Sequence, residues 1–261
     1  MDYFAITDIG KYRQNNEDYY FADGENNLFI VADGMGGHNA GEIASKTAVD
    51  NFSSYFLKNL KKITYYNSKI IKKNNNQYPN NLLSKDDIQK LLINSAIFAN
   101  KKIYTMGIKN IEMSGMGTTF TSVYIFNNKA YVLHIGDSRL YIYRKNEFNL
   151  ITEDHTLVYQ LYKSGAISYE DTFNHPQRNY LTSILGENEI STMQYLDLEL
   201  LKDDILLLCS DGLNSMVKDK NIKNIIDKLK KENAQIIANK LVSQANINGG
   251  KDNITVIVIK I

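Results

Sequence analysis

The chain has 261 residues, 43% of them hydrophobic and 23% charged, enough to fill the core of one large domain or two small ones. A net charge of +1 leaves no electrostatic footprint of a nucleic-acid binder, and no apolar stretch approaches the roughly 18 residues of a membrane span. The opening Met1-Asp2-Tyr3-Phe4 lacks the basic and apolar regions of a signal peptide, and Cys209, the one cysteine, excludes an internal disulfide and fits a reducing compartment, so a cytoplasmic setting is expected.

In chain order, period-two or short apolar runs predict strands over 3–9 and 28–32. Helical spacing follows from 41 to about 62, with Ile43, Thr47, Ala48, Phe52, Tyr55 and Phe56 on one face. The polar stretch 69–81, "KIIKKNNNQYPNN", breaks both patterns and reads as a loop with a solvated charged face. A second helix is expected over 84–106, where Ser84-Lys85-Asp86-Asp87 resembles a capping box. Further strands are expected over 120–126, 129–135, 140–144, 193–198, 204–209 and 254–260, with two consecutive helices over 219–246. Asn127-Asn128 separates two of these strands, and asparagine tolerates the positive φ of a tight hairpin. Strands that mostly follow one another, interrupted by paired helices, favour an α+β plan of antiparallel sheet with helices outside, in one domain over 1–261.

The stretch "LFIVADGMGGHNAGEIASKTAV", residues 28–49, raises the possibility of a phosphate cradle. A dinucleotide fingerprint needs G-x-G-x-x-G, but Gly34 and Gly36 are followed by Asn39, and no Walker loop is present. The acids carry more. Asp33 and Asp211 each end an apolar run just before a glycine, Asp252 precedes the last run, Asp137 lies in a tight turn, and Glu17-Asp18 follow the first strand. Carboxylates and backbone carbonyls are hard oxygen ligands, suited to magnesium or manganese, although Asp-Gly is equally a common turn dipeptide. Arg13, four residues before Glu17, offers a guanidinium fork for phosphate oxygens.

These residues resemble the metal-dependent serine/threonine protein phosphatases of type 2C, the PPM family, in their bacterial form. The likeness runs in order through "TDIGKYRQNNEDYY", "FIVADGMGGHNAGEIAS", "GMGTTFTSVYI", "YVLHIGDSRLYIYR", "LITEDHTLV", "HPQRNYLTSILG", "ILLLCSDGL" and "GGKDNITVIVI", and so covers essentially the whole chain. The resemblance implies a four-layer αββα sandwich of two antiparallel sheets flanked by helices, with a small flap at 157–179. It implies Asp33 bridging two metal ions, Asp211 and Asp252 completing one side, and Glu17 with the Gly34 carbonyl serving the other. Arg13 would hold the substrate phosphate, and Asp18 would orient metal-bound water from behind the ligands. Asn253, Gly117, Thr118 and the Asp137-Ser138-Arg139 turn would support the cluster. A metal-bridged hydroxide attacking phosphorus in line would then hydrolyse phosphoserine and phosphothreonine in proteins, opposing a serine/threonine kinase.

This chain departs from the family in two places. Where many eukaryotic members carry histidine directly after Asp-Gly, it has Met35, which leaves His38 as a candidate general acid. His134, His155 and His175 read as hydrogen-bonded structural residues, and Cys209 as a buried thiol. Bacterial relatives often carry an aspartate just before Gly-Met-Gly-Thr-Thr that binds a third ion. Here Ser114 stands there, so two well-occupied manganese or magnesium ions and a doubtful third are expected, with Glu112 or another acid as a substitute ligand. The alternatives are a phosphatase dedicated to one regulatory protein and an inactive binding module of the same fold. Retention of Arg13, Glu17, Asp33, Asp211 and Asp252 speaks against the second. A monomer is the default expectation.

Overall fold

The computed structural model describes residues 1–36, 40–73 and 83–261. Strand β3 (Leu28–Met35) shows how its layers arise. Successive strand residues point to opposite faces. Leu28, Ile30 and Ala32 accordingly join a core with helices α1 (Ala40–Lys73) and α2 (Lys85–Lys109), while Phe29 and Val31 join a second core. Strand β10 (Ile205–Cys209) behaves alike: Leu206 and Leu208 share that second core, and Ile205, Leu207 and Cys209 pack against helices α5 (Asp219–Leu229) and α6 (Ala234–Ile247). A strand buried on both faces needs an unbroken apolar run, which is why these segments do not alternate with polar residues. Three cores between four layers give the expected αββα sandwich. Fully buried Phe29, Phe52, Phe56 and Phe120 each contribute on the order of 2–3 kcal/mol through burial.

One sheet is ordered β2-β3-β5-β6-β9, from β2 (Asp18–Asp23), β5 (Phe120–Phe126), β6 (Lys129–Ile135) and β9 (Gln194–Glu199); the two-residue β4 (Gly117–Thr118) pairs with the far end of β3. The other is ordered β1-β11-β10-β7-β8, from β1 (Asp2–Asp8), β7 (Arg139–Arg144), β8 (Glu147–Leu150) and β11 (Ile254–Lys260). Neighbours are antiparallel throughout. The hairpin between β5 and β6 turns on Asn127 and Asn128, with φ of 50° and 56°. The capping box of α2 is present, Ser84 and Asp87 each accepting the other's amide at 3.1 Å.

Several expectations need correction. Helix α1 continues to Lys73, past the expected end near 62 and into the stretch read as a loop; the remainder of that stretch, from 74 to 81, lies outside the described residues. Its buried stripe ends at Phe56, but once nucleated a helix propagates without burial at every turn. Strand β2 was not expected because acids and tyrosines mask its apolar content, although Tyr19 and Phe21 face the helices while Tyr20 and Ala22 face the other sheet. Edge strand β8 and the tiny β4 are too short for a periodic signal. Segment 157–179 contains helix α3 (Leu157–Lys163) and a 3-10 turn (Glu170–Phe173). Antiparallel order brings the C-terminal ends of β1, β3, β6 and β10 and the N-terminal ends of β2, β5, β7 and β11 to one end of the sandwich.

Candidate active site

At that end, Asp33 sits in register with Asp18 across β2 and β3. The Asp33 amide donates to Thr119 Oγ1 at 2.9 Å, and its carbonyl accepts from Thr119 N and Thr118 Oγ1, each at 2.9 Å. Thr119 Oγ1 in turn lies 2.7 Å from Ser138 Oγ, so the backbone of Asp33 is clamped by both flanking turns. Gly34 N donates to the Glu17 carbonyl at 3.1 Å, and Ser45 Oγ on α1 donates to the same oxygen at 2.6 Å. This close approach requires glycine. A Cβ on Gly34 would fall 2.0 Å from the Gly41 carbonyl oxygen, and one on Gly41 would fall 2.8 Å from the Glu17 carboxylate.

Residues from the second sheet meet this edge. Asp211 opens the short helix α4 (Asp211–Asn214) after β10, and its carboxyl lies near enough to that of Asp33 for the two to act on each other's charge. Arg13 Nη2 donates to Asp252 Oδ2 at 2.8 Å. Asn253, buried beside it, accepts from Glu17 N at 2.8 Å and donates to the carbonyls of Ile9 and Asn15, each at 3.0 Å. One side chain thus pins the loop between β1 and β2 to the start of β11. Glu17, Asp33, Asp211 and Asp252 are all partly exposed, whereas Asp18 is buried. Asp18 Oδ2 accepts from Ser210 Oγ and Thr255 Oγ1, both at 2.7 Å, while Oδ1 has no partner.

The acids raise one another's affinity for protons. Burial, then the neighbouring carboxylates Asp18, Asp211, Asp137 and Asp252, pushes Asp33 well above the ordinary range. Burial followed by Asp252 pushes Asp211 up to about 6. Burial pushes Asp18 up to about 7, against the hydrogen bonds from Ser210 and Thr255. Burial also raises Glu17, opposed by Arg13. Negative charge so concentrated calls for cations, and the donors are all hard oxygens, which fits magnesium or manganese. Among the described residues no three His, Cys, Asp or Glu side chains are grouped tightly enough to hold an ion by themselves.

Of the other sequence-predicted residues, His38 lies outside the described residues. His134 and His155 are buried with ring centroids 4.9 Å apart; His134 bonds Thr121 and the Glu153 carbonyl, and His155 Nδ1 accepts from Gly136 N. His175 Nδ1 accepts from Gln177 N. Cys209 is fully buried, and burial pushes its thiol up. Ser114 ends an exposed 3-10 turn. A further carboxylate near the cluster is Asp137, raised by burial and then by Asp211. Sequence reasoning missed Ser45, Ser210 and Thr255, which hold Glu17 and Asp18; the signal was a hydroxyl at an otherwise apolar strand for Ser210 and Thr255, and a hydroxyl on the buried face of helix α1 for Ser45.

Comparison with known proteins agrees with this geometry. The family described as Protein phosphatase 2C matches residues 11–244. A relative, the serine/threonine phosphatase stp of Listeria welshimeri, is 34% identical over 257 residues, covering 97% of this chain and 93% of its own length. The solved structure of the Streptococcus agalactiae serine/threonine phosphatase is 31% identical with a TM-score of 0.83, over 100% of this chain and 99% of that one. The catalytic domain of the serine/threonine protein phosphatase PstP, solved in complex with 2 manganese ions, is 30% identical with a TM-score of 0.78, over 98% and 96% of the two chains. Placed beside the acid cluster at the shared end of two antiparallel sheets, these likenesses establish that the chain belongs to the protein phosphatase 2C family.

Proposed function

We propose that this phosphatase hydrolyses phosphoserine and phosphothreonine in proteins, with the cluster Arg13, Glu17, Asp33, Asp211 and Asp252 as its active site. The observation that carries the reading is the meeting of Arg13 with Asp252 and of Asp33 with Asp211, from strand ends of both sheets. The names of the relatives, serine/threonine phosphatases, support the substrate class. Manganese or magnesium would be held by Asp33 shared between two ions, with Asp211 and Asp252 on one side and Glu17 with the Gly34 carbonyl on the other. The manganese complex of PstP supports two ions. Bound metal supplies charge neutralisation at the phosphoryl oxygens and lowers the pKa of water, giving a nucleophile near neutral pH.

The chain's own residues do the rest. Arg13, with its side chain 50% exposed and its fork oriented by Asp252, binds the phosphoryl group and adds a positive charge where negative charge develops. Asp18, fixed by Ser210 and Thr255, orients the attacking water from behind the ligand carboxylates. Asn253 keeps Glu17 and Asp252 in register with each other. His38 is the candidate proton donor to the leaving alkoxide. The physiological role that follows is opposition to a serine/threonine kinase, by one catalytic domain over 1–261, acting as a monomer in the cytoplasm. Among the described residues no helix is long and apolar enough to cross a membrane.

Hydrolysis of p-nitrophenyl phosphate with manganese tests the reading, wild type against Asp33→Ala. The variant should lose activity at least about 100-fold, as expected when charge stabilisation of the transition state is removed. A wild type no faster than the variant would refute the assignment. Phosphoserine, phosphothreonine and phosphotyrosine peptides then test the substrate class, the first two being preferred.

A further inference from the structure

The buried stripe of helix α2 runs through Leu92, Ala96 and Ile103, and Asn100 stands in it, buried as they are. An amide is unfavourable there on two counts. Asparagine is a poor helix former, and a buried amide needs partners for both its oxygen and its NH2. Ser95, the other buried polar residue of the stripe, is satisfied within the helix, its hydroxyl donating to the Leu91 carbonyl at 2.6 Å. Asn100 is satisfied from a distant segment instead. Its Oδ1 accepts from Gly186 N at 2.7 Å, and its Nδ2 donates to the Glu187 carbonyl at 2.8 Å.

That segment backs the edge on which the acids stand. Leu185 and Thr118 exchange both backbone hydrogen bonds at 2.9 Å. Residue 186 approaches so closely that a Cβ on Gly186 would fall 2.5 Å from the Met116 carbonyl oxygen. On its other side β4 pairs with the end of β3, Thr118 opposite Gly34 and Gly117 opposite Met35. Thr118 Oγ1 and Thr119 N also hold the Asp33 carbonyl, each at 2.9 Å. Asn100, residues 185–187, β4 and the end of β3 thus form successive tiers of one hydrogen-bonded ladder. Its last tier carries Asp33 and the Gly34 carbonyl. A strand of two residues, as β4 is, takes its place from the tiers beside it.

We infer that Asn100 is a positioning residue for the metal-binding edge: its side-chain amide, gripping 186 and 187, holds that segment against β4 and so fixes the place of Asp33 and the Gly34 carbonyl. This rests on the metal site proposed above. Asn100 acts only through the ladder. Loss of a group that orients metal ligands weakens binding or activity about 10–100-fold, and a group acting through two tiers belongs at the lower end of that range.

The test compares wild type, Asn100→Ala and Leu92→Ala. Leu92→Ala opens a cavity in the same buried stripe but leaves both amide bonds of Asn100 in place, so it controls for lost stability. Amide hydrogen exchange over 116–119 and 184–187 should quicken about tenfold in Asn100→Ala relative to Leu92→Ala. Titration calorimetry of manganese into the metal-free protein should show Kd raised about tenfold in Asn100→Ala alone. At saturating manganese, KM for p-nitrophenyl phosphate should stay within about twofold of wild type, because Arg13 is not on the ladder. Asn100→Ser, which leaves a smaller cavity but offers one hydroxyl for two partners, replaces Asn100→Ala if that variant does not fold. Unchanged exchange, an unchanged manganese Kd, or an equal rise of Kd in Leu92→Ala would each overturn the inference, as would a KM that rises in step with Kd. A wild type that takes up no manganese would instead overturn the proposed metal site, and the exchange measurement separates the two failures.

Discussion

Asp18→Asn should stabilise the metal-free protein while impairing the loaded enzyme. The Asp18 carboxyl is buried and pushed up from 3.8 to about 7, chiefly by burial, with Asp211 and Asp252 adding repulsion. A carboxyl whose pKa is raised on folding keeps its proton in the folded state after the unfolded chain has released it. Stability therefore falls as pH rises from 3.8 towards 7 and is level above that. At about 1.4 kcal/mol per pH unit the interval from 3.8 to about 7 corresponds to about 4 kcal/mol at most, and repulsion that is relieved when a neighbouring carboxyl is protonated leaves about 2–4 kcal/mol at pH 8. At about pH 5 only some 1–2 kcal/mol of the penalty has accrued. An amide removes the charge while its oxygen still accepts from Ser210 and Thr255, and its NH2 takes the place of the partnerless Oδ1, near acceptor carboxylates. The assay is urea unfolding in chelator at about pH 5 and pH 8. The variant's advantage should be larger at the higher pH. With manganese restored, its phosphatase activity should fall about 10–100-fold, as for loss of an outer-shell partner. A variant no more stable than wild type at pH 8 in chelator, or an advantage that does not shrink at pH 5, refutes the reasoning.

Other expected outcomes concern separate parts of the molecule. Burial, with His155 beside it, lowers His134 from 6.5 to about 3. The folded state thus refuses a proton that the unfolded chain accepts, and stability is lost as pH falls from 6.5 towards 3. Urea unfolding should show the stability of wild type relative to His134→Gln falling by about 2 kcal/mol from pH 8 to pH 5; parallel pH profiles would contradict this. Gly34→Ala should lose about 2–4 kcal/mol and nearly all phosphatase activity, since its Cβ would lie 2.0 Å from the Gly41 carbonyl oxygen. Denaturant midpoints check the first effect, and full activity would disprove the close approach. Arg13→Ala should raise KM for a phosphothreonine peptide about 10–100-fold, the worth of charge-assisted phosphate hydrogen bonds. An unchanged KM would place the phosphate elsewhere.

Much of the molecule was legible from local pattern. Apolar runs such as "ILLLC" and "ITVIVI" announce strands buried on both faces, Ser84 and Asp87 announce a helix start, and Asn127-Asn128 announces a hairpin. The Asp-Gly and Asp-Asn positions stand out as candidate ligands because acids at strand ends beside glycine form a pattern within one segment. What stayed hidden lacked such a pattern. Strand β2 is short and polar at both ends, and helix α1 outruns its buried stripe. Ser45, Ser210 and Thr255 are ordinary hydroxyls until folding sets them on Glu17 and Asp18.

The sequence by itself determined which segments form strands and helices, and which carboxylates could serve chemistry. Both follow from side-chain period and residue type, properties of neighbours in the chain. Only the tertiary structure decided which acids meet. Antiparallel order brings Arg13 to Asp252 and Asp211 to Asp33 across two sheets, and it places Asp137 near the cluster. It likewise set Arg139 on Asp154 and Tyr141. These pairings join residues as much as 239 positions apart, and Coulomb energy depends on distance in space, a quantity that strand pairing and sheet packing create.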